Sequence, residues 1–317
     1  MRILCVPTIV LLFGVTISLI GQNQHVPYSY KAAEYVSGTH SHELRIFPSK
    51  GQPVTIALPF RLGMTTFGPD GKSVYGIIAD SQNGVGRDQT GLSRIEFNPA
   101  RASAIPGTSG FVVKSFAVSS RQDKVVISGN HQNAGGRRCG VFEVLIPEGN
   151  IRQILNSDCL YRWAWNNLTL SPNGEEAIAS VGSNNDHDLH LERIDLVHGT
   201  TRSLGSEFSM GVWSPDGKWI AARASSGYDK LLLIDSGDFS HRRFLGGGTA
   251  LRPTWSPDSR YLLLWKEYLF RCGIYPDLDP PATLETFDIQ TGKRSTIRSS
   301  RCQITGRTGW VSSEIVK

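Results

Sequence analysis

A short turn motif recurs along the chain at intervals of about 40 to 55 residues. The clearest copies are Trp213-Ser-Pro-Asp-Gly-Lys218 and Trp255-Ser-Pro-Asp-Ser-Arg260. The repeat positions, counted at the residue that stands in the place of the tryptophan, are Phe67, Val118, Leu170, Trp213, Trp255 and Trp310. Because proline restricts φ and Asp-Gly favours tight turns, each copy predicts a reversal of chain direction between two strands.

A short apolar segment follows the turn in the better copies, as in Trp219-Ile-Ala-Ala222 and Tyr261-Leu-Leu-Leu-Trp265. Repeats of this length, built from short strands, are typical of a β-propeller. We therefore predict an all-β fold, a six-bladed β-propeller whose blades are four-stranded antiparallel sheets. The large apolar residue at the repeat position is suited to fill the space between neighbouring blades.

These repeats resemble those of the TolB-like, WD-repeat-like propeller family, which read approximately as Trp-Ser-Pro-Asp-Gly-Lys followed by a short apolar strand. The resemblance covers nearly all of the chain after residue 21, with two close copies, two good copies and two degraded copies. It implies a propeller with an interaction role in the cell envelope or periplasm. TolB itself carries an additional N-terminal domain, which we do not expect here, so a role in the Tol system does not follow from the resemblance.

The two ends of the chain complement each other. Trp310 leaves room for one strand, whereas three strand-like segments without a repeat precede residue 60, namely Ala33–Val36, Glu43–Phe47 and Pro53–Ala57. We predict that these four strands form one blade, which closes the ring and leaves no exposed sheet edge. The predicted single domain covers residues 22–317, with blades at about 60–108, 109–159, 160–205, 206–247, 248–303, and 304–317 plus 30–59.

The N-terminus has the pattern of a targeting segment. Met1-Arg2 precedes an almost wholly apolar run over residues 3–21, which ends at Gln22-Asn23-Gln24. This pattern predicts a secretory signal and an exported protein, periplasmic or secreted. A run of about 19 residues is also long enough to span a bilayer, so a retained N-terminal anchor remains the alternative and the only membrane contact that we expect.

Four cysteines follow the apolar run, and an even number of cysteines in an exported chain favours disulfides. Cys139 precedes the third strand of the second predicted blade, and Cys159 follows the fourth strand. Cys272 and Cys302 flank the equivalent strands of the fifth blade. Because a third strand begins beside the end of the fourth, the positions predict two disulfides, one joining Cys139 with Cys159 and one joining Cys272 with Cys302. A metal site is not predicted here, since CxxC spacing and histidine partners are lacking.

Loop lengths distinguish the two faces of the predicted propeller. The turns from first to second strand and from third to fourth strand are short, whereas the loops from second to third strand vary in length. The variable loops include Asp80 to Gly91, Gly129 to Arg138, Gly182 to Asp188 and Lys266 to Ala282. They leave the propeller on the same face as the connections between blades. We call this the loop face and predict that it carries the binding surface, as variable loops on rigid scaffolds commonly do.

Basic residues near the starts of the predicted first strands indicate a ligand on the loop face. Arg252 and Arg307 both stand three residues before a repeat tryptophan, so their side chains are expected to point the same way from neighbouring blades. The set is completed by Lys114, Arg61 and Arg162. Together these residues predict a basic channel mouth that holds a carboxylate or phosphate group. The alternative is that each cation pairs with a neighbouring carboxylate such as Glu207 or Glu267.

Other chemistries receive less support from the sequence. The formal charge is +5 and no dense basic stripe with interleaved aromatic residues occurs, so we expect no nucleic-acid binding. Asn184-Asn-Asp-His-Asp188 offers oxygen ligands but lacks the spaced acidic pattern of a calcium loop, and we predict no metal and no cofactor. The Gly-x-Ser-x-Gly motif of a nucleophile elbow is absent, and we assign no catalytic residue.

We therefore predict a non-catalytic, exported, monomeric propeller that binds a protein or an anionic small molecule through its loop face. One alternative is a six-bladed propeller enzyme of the lactonase, lyase or glycosidase type, with its site at the channel mouth. Another is a purely structural module. An enzyme would place carboxylates or histidines in the channel, whereas the predicted inner strands offer mainly Arg, Lys, Ser, Thr and aromatic residues. The fold alone does not decide among these functions.

Overall fold

The computed structural model describes twelve segments of the chain, to which the structural statements below refer. They are residues 30–37, 42–48, 52–79, 91–97, 99–133, 135–157, 166–182, 190–224, 230–247, 253–266, 282–300 and 307–316. The predicted targeting run 3–21 and most of the predicted loops at 80–91, 182–188 and 266–282 lie outside these segments. Within the described segments, no helix has the length and apolar character needed to span a membrane.

Within these segments the chain forms 24 strands and one short 3₁₀ helix, Ser313–Val316. The closing blade contains β1 (Tyr30–Ser37), β2 (His42–Phe47), β3 (Val54–Ala57) and β24 (Arg307–Ser312). Blade 1 contains β4 (Arg61–Phe67), β5 (Ser73–Ala79), β6 (Ser93–Phe97) and β7 (Ala100–Ala104), and blade 2 contains β8 (Phe111–Val118), β9 (Lys124–Asn133), β10 (Gly136–Leu145) and β11 (Ile151–Ser157). Blade 3 contains β12 (Asn166–Leu170), β13 (Glu176–Val181), β14 (His190–Asp195) and β15 (Thr200–Gly205). Blade 4 contains β16 (Phe208–Trp213), β17 (Trp219–Ala224), β18 (Lys230–Asp235) and β19 (Arg242–Gly247), and blade 5 contains β20 (Thr254–Trp255), β21 (Tyr261–Lys266), β22 (Ala282–Asp288) and β23 (Arg294–Ser300).

Each blade is a four-stranded antiparallel sheet, and the six sheets have the arrangement of a β-propeller. Five sheets are built from consecutive strands. The sixth has the strand order β24-β1-β2-β3, in which Tyr30 pairs with Ser312 and Tyr35 pairs with Arg307. The predicted fold class, with a closing blade of one C-terminal and three N-terminal strands, is thereby confirmed. This pairing gives β1 and β24 sheet partners that neither end of the chain could supply alone.

The first strand of each blade belongs to an inner ring, and the hydrophobic core lies between the blades. The strand β24 contacts β4 and β20, β12 contacts β8 and β16, and β16 contacts β20. Six clusters of buried apolar side chains fill the seams between neighbouring blades in the described segments. The seam between blades 1 and 2, for example, packs Tyr75 and Ile77 against Phe111 and Phe142. Burial on this scale in every seam supplies most of the driving force for ring formation.

The repeated turn is stabilised by its own side chains. In blade 4, Asp216 Oδ1 accepts hydrogen bonds from the Ser214 hydroxyl at 2.7 Å and from the Lys218 backbone N–H at 3.1 Å. The Ser214 hydroxyl in turn accepts a hydrogen bond from the Trp219 N–H at 2.9 Å. Blade 5 repeats this pattern with Ser256 and Asp258. Serine and aspartate therefore recur because together they satisfy the polar groups of a tight strand reversal.

One position of this turn requires a left-handed backbone. Its φ is 65° at Gly71, 72° at Gly174 and 77° at Gly217, which glycine adopts without strain. Gln122 and Ser259 occupy the same position with φ values of 58° and 59°. Both side chains contact a neighbouring blade, since Gln122 Oε1 accepts a hydrogen bond from the Tyr75 hydroxyl at 2.7 Å and Ser259 Oγ accepts one from the Asp216 N–H at 2.9 Å. These bonds offset the unfavourable backbone conformation.

Two of the three repeat tryptophans, Trp310 and Trp255, donate a hydrogen bond to the previous blade, whereas the indole of Trp213 donates to Gly217 of its own turn. Trp310 is 6% exposed, and its indole N–H donates a hydrogen bond to the carbonyl of Thr254 at 3.1 Å. Trp255 is equally buried and donates to the carbonyl of Val212 at 3.0 Å. In both cases the acceptor is the residue that precedes the repeat position of the previous blade. The indole therefore fills the seam and also satisfies a backbone carbonyl of the adjacent inner strand.

One predicted loop is wrong. We expected residues 129–138 to form a loop from second to third strand, but β9 continues to Asn133 and β10 begins at Gly136. Each of these strands has 10 residues, and they pair with each other over their whole length, from Lys124 with Leu145 to Asn133 with Gly136. The sequence there lacks the apolar alternation of a half-buried strand, so it resembles a loop.

Candidate functional site

The five predicted basic residues are only partly covered by the described segments. Arg61 and Arg307 are the first residues of the inner strands β4 and β24, and both are half-buried. Lys114 lies within the inner strand β8 and is exposed. Arg162 and Arg252 lie outside the described residues. The three described residues thus belong to inner strands of three different blades, as the sequence indicated, and their role as ligand-binding groups stays a prediction.

Tyr35 of β1 joins the two strands that begin with Arg61 and Arg307. It is the register partner of Arg307, and its hydroxyl accepts a hydrogen bond at 2.7 Å from the backbone N–H of Leu62, the residue that follows Arg61. The inner strands β24 and β4 also contact each other. Two of the five predicted cations therefore begin adjacent inner strands at one seam, between the closing blade and blade 1.

His42, the first residue of β2, lies near the same seam. Burial lowers the pKa of His42 below its ordinary value, and the positive charge of Arg61 lowers that pKa further. Both effects disfavour the imidazolium form. At neutral pH the positive charge at this seam therefore comes from the arginines.

Four inner strands are irregular just before the repeat position, which the sequence did not indicate. The pairing register shifts between Leu62 and Thr65, between Val113 and Ser115, between Asn166 and Thr169, and between Ser209 and Val212. Within these irregularities Asn167 and Met210 have φ values of 50° and 55°, an uncommon conformation for residues other than glycine. Such bulges redirect side chains and are frequent beside binding sites. Lys114 is the extra residue in the bulge of β8. Arg307 stands at the equivalent position along β24.

The hairpin β9–β10 of blade 2 stands beside the inner strand that carries Lys114. His131 is 7% exposed and stacks on Phe111, with the ring centroids 4.3 Å apart. Burial lowers the pKa of His131, and the neighbouring Arg138 lowers that pKa further. The Arg138 Nη2 lies 3.4 Å from His131 Nδ1. Because a guanidinium group can only donate, Nδ1 is the acceptor and the neutral ring carries its proton on Nε2.

The carboxylate proposed to neutralise a channel arginine has a different partner. Glu207 Oε1 forms an ion pair with Arg242 Nη1 at 2.8 Å. The guanidinium of Arg242 also lies 4.6 Å from the ring centroid of Phe208. Glu267 lies outside the described residues. Glu207 is therefore engaged by the outer strand of blade 4.

Of the four cysteines in the two predicted disulfides, only Cys139 lies in the described segments. Cys139 is 3% exposed and disulfide-bonded, whereas Cys159, Cys272 and Cys302 lie outside the described residues. Cys139 pairs in register with Ser157, the last residue of β11. This register brings the chain to within two residues of Cys159, and the predicted pairing stays a prediction.

A metal centre receives no support from the described part of the chain. Within it, no three side chains among His, Cys, Asp and Glu are grouped closely enough to hold a metal ion. The oxygen-rich run at 184–188 lies outside the described residues.

Comparisons with known proteins agree with this fold. No family model matches the chain, and no curated protein matches its sequence. Among solved structures, TolB from Acinetobacter baumannii is similar at a TM-score of 0.61 and 16% identity, over 90% of this chain and 67% of that one. A TolB-like structure from Agrobacterium tumefaciens is similar at 0.58 and 14% identity, over 86% and 90% of the two chains. An oligogalacturonate lyase in complex with manganese is similar at 0.52 and 12% identity, over 85% and 73%.

These likenesses define the class of the protein by its fold. The chain is a TolB-like six-bladed β-propeller in its architecture, which confirms the resemblance that its repeats indicated. At identities of 16% and below, the similarity shows the fold alone. Its structural neighbours include both TolB and a lyase, so the function has to be argued from the site.

Proposed function

We propose that this protein is a non-catalytic, exported propeller that binds an acidic partner over the channel mouth of its loop face. The observation that supports the proposal most is that Arg61 and Arg307 begin adjacent inner strands, β4 and β24, which Tyr35 joins through its register with Arg307 and its hydrogen bond with Leu62. Two guanidinium groups at one seam suit a carboxylate, because each can donate two parallel hydrogen bonds to it.

The other parts of the site are consistent with a binding surface. Lys114 is exposed in the bulge of β8, on the same inner ring. Arg162 and Arg252 would add charge from blades 3 and 5. A rim of cations around a channel raises the local concentration of an anionic partner and accelerates its association.

Export is part of this proposal. It rests on the apolar run over residues 3–21 and on the disulfide at Cys139, because disulfides persist mainly in oxidising compartments. The fold similarity to TolB supports a location in the cell envelope. Export is tested by cell fractionation of bacteria that produce either the full chain or a variant without residues 3–21. Full-length protein that is found in the cytoplasm contradicts export.

The binding proposal is tested with two acidic probes, fluorescein-labelled poly-glutamate and citrate. The double variant Arg61→Ala with Arg307→Ala should bind both probes about tenfold more weakly, which corresponds to the loss of about 1.4 kcal/mol. The decrease of affinity with salt should also become less steep, because fewer charged contacts remain.

A matched control is the double variant Arg101→Ala with Arg202→Ala. Both residues are exposed on outer strands, β7 and β15, and their removal changes the net charge by the same amount. The control should keep its affinity within about twofold, as substitutions outside a binding site usually do. If the two double variants lose the same affinity, the binding is an effect of total charge and the proposed site is wrong.

A lyase is the second candidate, because the fold is also that of an oligogalacturonate lyase in complex with manganese. Galacturonate units carry carboxylates, so the same basic mouth would suit this substrate. The catalytic groups would then have to come from loops such as 183–189 and 267–281. Incubation with oligogalacturonate and Mn²⁺, followed by the ultraviolet absorbance of an unsaturated product, separates this candidate from a binding protein.

A further inference from the structure

We propose that Lys114, Asn167 and Met210 form one wall of the central channel, a subsite that recognises an N-acylated amino acid with an apolar side chain. The inference rests on the proposed function and narrows it, because it gives the anionic ligand of the channel mouth a chemical class. We call these three residues the bulge arc, since each lies in the irregularity of one inner strand, β8, β12 or β16.

The packing of blade 3 shows which residue of its bulge is left for the channel. Leu168 belongs to the apolar cluster between blades 2 and 3. On the other side of β12, the Thr169 hydroxyl donates a hydrogen bond to the carbonyl of Gly211 in blade 4 at 3.4 Å. The residues next to the bulge thus face the two seams of the blade. Asn167, which is half-buried, is the extra residue that neither seam requires.

Blade 4 repeats this arrangement. Gly211 faces the seam with blade 3, where an added Cβ atom would lie 3.0 Å from Leu191 and 3.1 Å from Ile178. Val212 packs in the seam with blade 5. Met210 is half-buried, yet it belongs to none of the six apolar clusters of the described segments. A large apolar side chain outside both seams of its inner strand is placed to face the channel.

The bulge arc is continuous, because hydrogen bonds join its three blades. The Ser115 hydroxyl of blade 2 accepts a hydrogen bond from the backbone N–H of Leu168 in blade 3 at 2.9 Å. The Ser180 hydroxyl of blade 3 accepts one from the N–H of Met210 in blade 4, also at 2.9 Å. Both serines are buried. Each bulge therefore has a backbone N–H that is satisfied by the preceding blade, which fixes the bulges relative to one another.

The backbone of the bulge arc is held in an unfavourable conformation. Asn167 and Met210 have φ values of 50° and 55°, in the left-handed region. Asparagine tolerates this region better than methionine does, and glycine tolerates it best. Residues kept in such conformations are concentrated at ligand sites. Glycine would fit the backbone better at both positions, which points to a role for the two side chains.

Each residue of the bulge arc suits a different chemical group. The exposed ammonium group of Lys114 suits a carboxylate. The carboxamide of Asn167 both donates and accepts hydrogen bonds, as an amide ligand requires. The thioether of Met210 packs against apolar groups of varied shape. An N-acylated amino acid with an apolar side chain carries these three groups around one carbon atom.

The same residues argue against a sugar acid. A uronate such as galacturonate carries hydroxyl groups where the amino acid carries its apolar side chain, and Met210 offers hydroxyl groups only a weak acceptor. The bulge arc therefore favours the acylated amino acid. Such a group can be a free molecule or the last residue of a peptide, and the test includes both sources.

The test compares N-acetyl-leucine with two relatives by isothermal titration calorimetry, one without the amide (4-methylpentanoate) and one without the apolar side chain (N-acetyl-glycine). The variant Asn167→Gly should weaken N-acetyl-leucine about fivefold and remove its advantage over 4-methylpentanoate. The variant Met210→Gly should weaken N-acetyl-leucine about fivefold and remove its advantage over N-acetyl-glycine. The tetrapeptide Ala-Ala-Ala-Leu has the same end group, so its affinity relative to N-acetyl-leucine identifies the source.

The melting temperature separates a binding role from a structural role. Both glycine variants should melt at the same temperature as the full chain or higher, because glycine adopts a positive φ without strain. Ser259→Gly is the matched control, since Ser259 has a φ of 59° in a turn of the opposite face, and it should change each affinity by less than about twofold. Asn167→Asp keeps the size of the side chain but repels a carboxylate, so it should weaken N-acetyl-leucine at least as strongly as Asn167→Gly.

Two outcomes contradict the bulge arc. Glycine variants that melt at lower temperature and keep their affinity for N-acetyl-leucine would give the arc a structural role only. N-acetyl-leucine that binds no more tightly than citrate or galacturonate would make the ligand class wrong. If either occurs while Arg61→Ala with Arg307→Ala still weakens citrate, the proposed function stands without the bulge arc. If no variant weakens any probe, both proposals are wrong.

Discussion

Removal of the Arg298 side chain should destabilise the propeller at its closing seam. Arg298 lies on β23 of blade 5, and its Nη1 is 2.5 Å from Oε2 of Glu34 on β1. Glu34 is 1% exposed, so its carboxylate depends on protein groups in place of water. The variant Arg298→Ala leaves this carboxylate buried without its closest cation.

The magnitude follows from the geometry of the pair. Two unit charges about 4 Å apart interact by about 4 kcal/mol at an effective dielectric constant of about 20. Breaking a buried pair by removing one partner costs about 3–5 kcal/mol. Arg45 is a second cation that acts on Glu34, although it is itself paired with Glu43. We therefore expect the free energy of unfolding to fall by about 2–4 kcal/mol.

The loss should depend on pH in a defined direction. Burial raises the pKa of Glu34 above its ordinary value, and the charges of Arg298 and Arg45 only partly oppose this rise. A carboxyl group with a raised pKa stabilises the fold at low pH, where it is protonated, and this contribution is lost as the pH rises through the folded pKa. Without Arg298 the pKa rises further, so the variant should be more strongly destabilised near pH 7.5 than near pH 5.

Urea unfolding at the two pH values measures this effect, with Arg101→Ala as the control for losing an exposed arginine from an outer strand. The control should change stability by less than about 0.5 kcal/mol. The double variant Glu34→Gln with Arg298→Ala removes both charges of this pair and should recover much of the loss, which a double-mutant cycle quantifies. An equal loss at both pH values, or no recovery in the double variant, would refute the reasoning.

Two further predictions concern the closure of the ring and the cysteines. Deletion of residues 307–317 should lower the melting temperature strongly, because β1 loses its partner strand. Deletion of residues 313–317 removes the 3₁₀ helix, the exposed Lys72–Glu314 ion pair and the packing of the partly buried Ile315, and should lower it much less. Equal melting temperatures for the first deletion and the full chain would contradict closure. Peptide mapping of the exported protein without reductant should find Cys139 linked to Cys159 and Cys272 linked to Cys302, and each link should stabilise the fold by about 3 kcal/mol. Crossed pairs or free thiols would overturn this pairing.

The local features of the fold were readable from the sequence because they are made by neighbouring residues. In the turn of blade 4, Ser214, Asp216 and Lys218 bond to each other within five positions of the chain. The left-handed φ at Gly217 likewise follows from an Asp-Gly turn. Repetition of this turn at intervals of about 40 to 55 residues predicted the propeller, and the three strand-like segments before residue 60 predicted its closing blade.

The contacts between blades needed the tertiary structure. Glu34 and Arg298 are separated by 264 positions, and nothing in the local sequence distinguishes Arg298 from Arg294, which pairs with Glu285 of its own blade. The same holds for Trp310, whose acceptor at Thr254 lies one blade away. The twist and packing of whole sheets determine which residues of two blades meet. A short stretch of sequence does not encode that arrangement.

The candidate site shows the same division. The sequence indicated Arg307 through its distance from the repeat tryptophan, and Arg61 and Lys114 through their places near the starts of the predicted first strands. It did not indicate the bulges at Asn167 and Met210, nor the long hairpin of blade 2, where Gly-Asn-His-Gln-Asn resembles a loop. Periodicity reports which side of a strand is buried, and Gly129, Gln132 and Asn133 offer no apolar alternation from which a strand could be predicted. There the structure is determined by pairing with the opposite strand and by His131 stacking on Phe111.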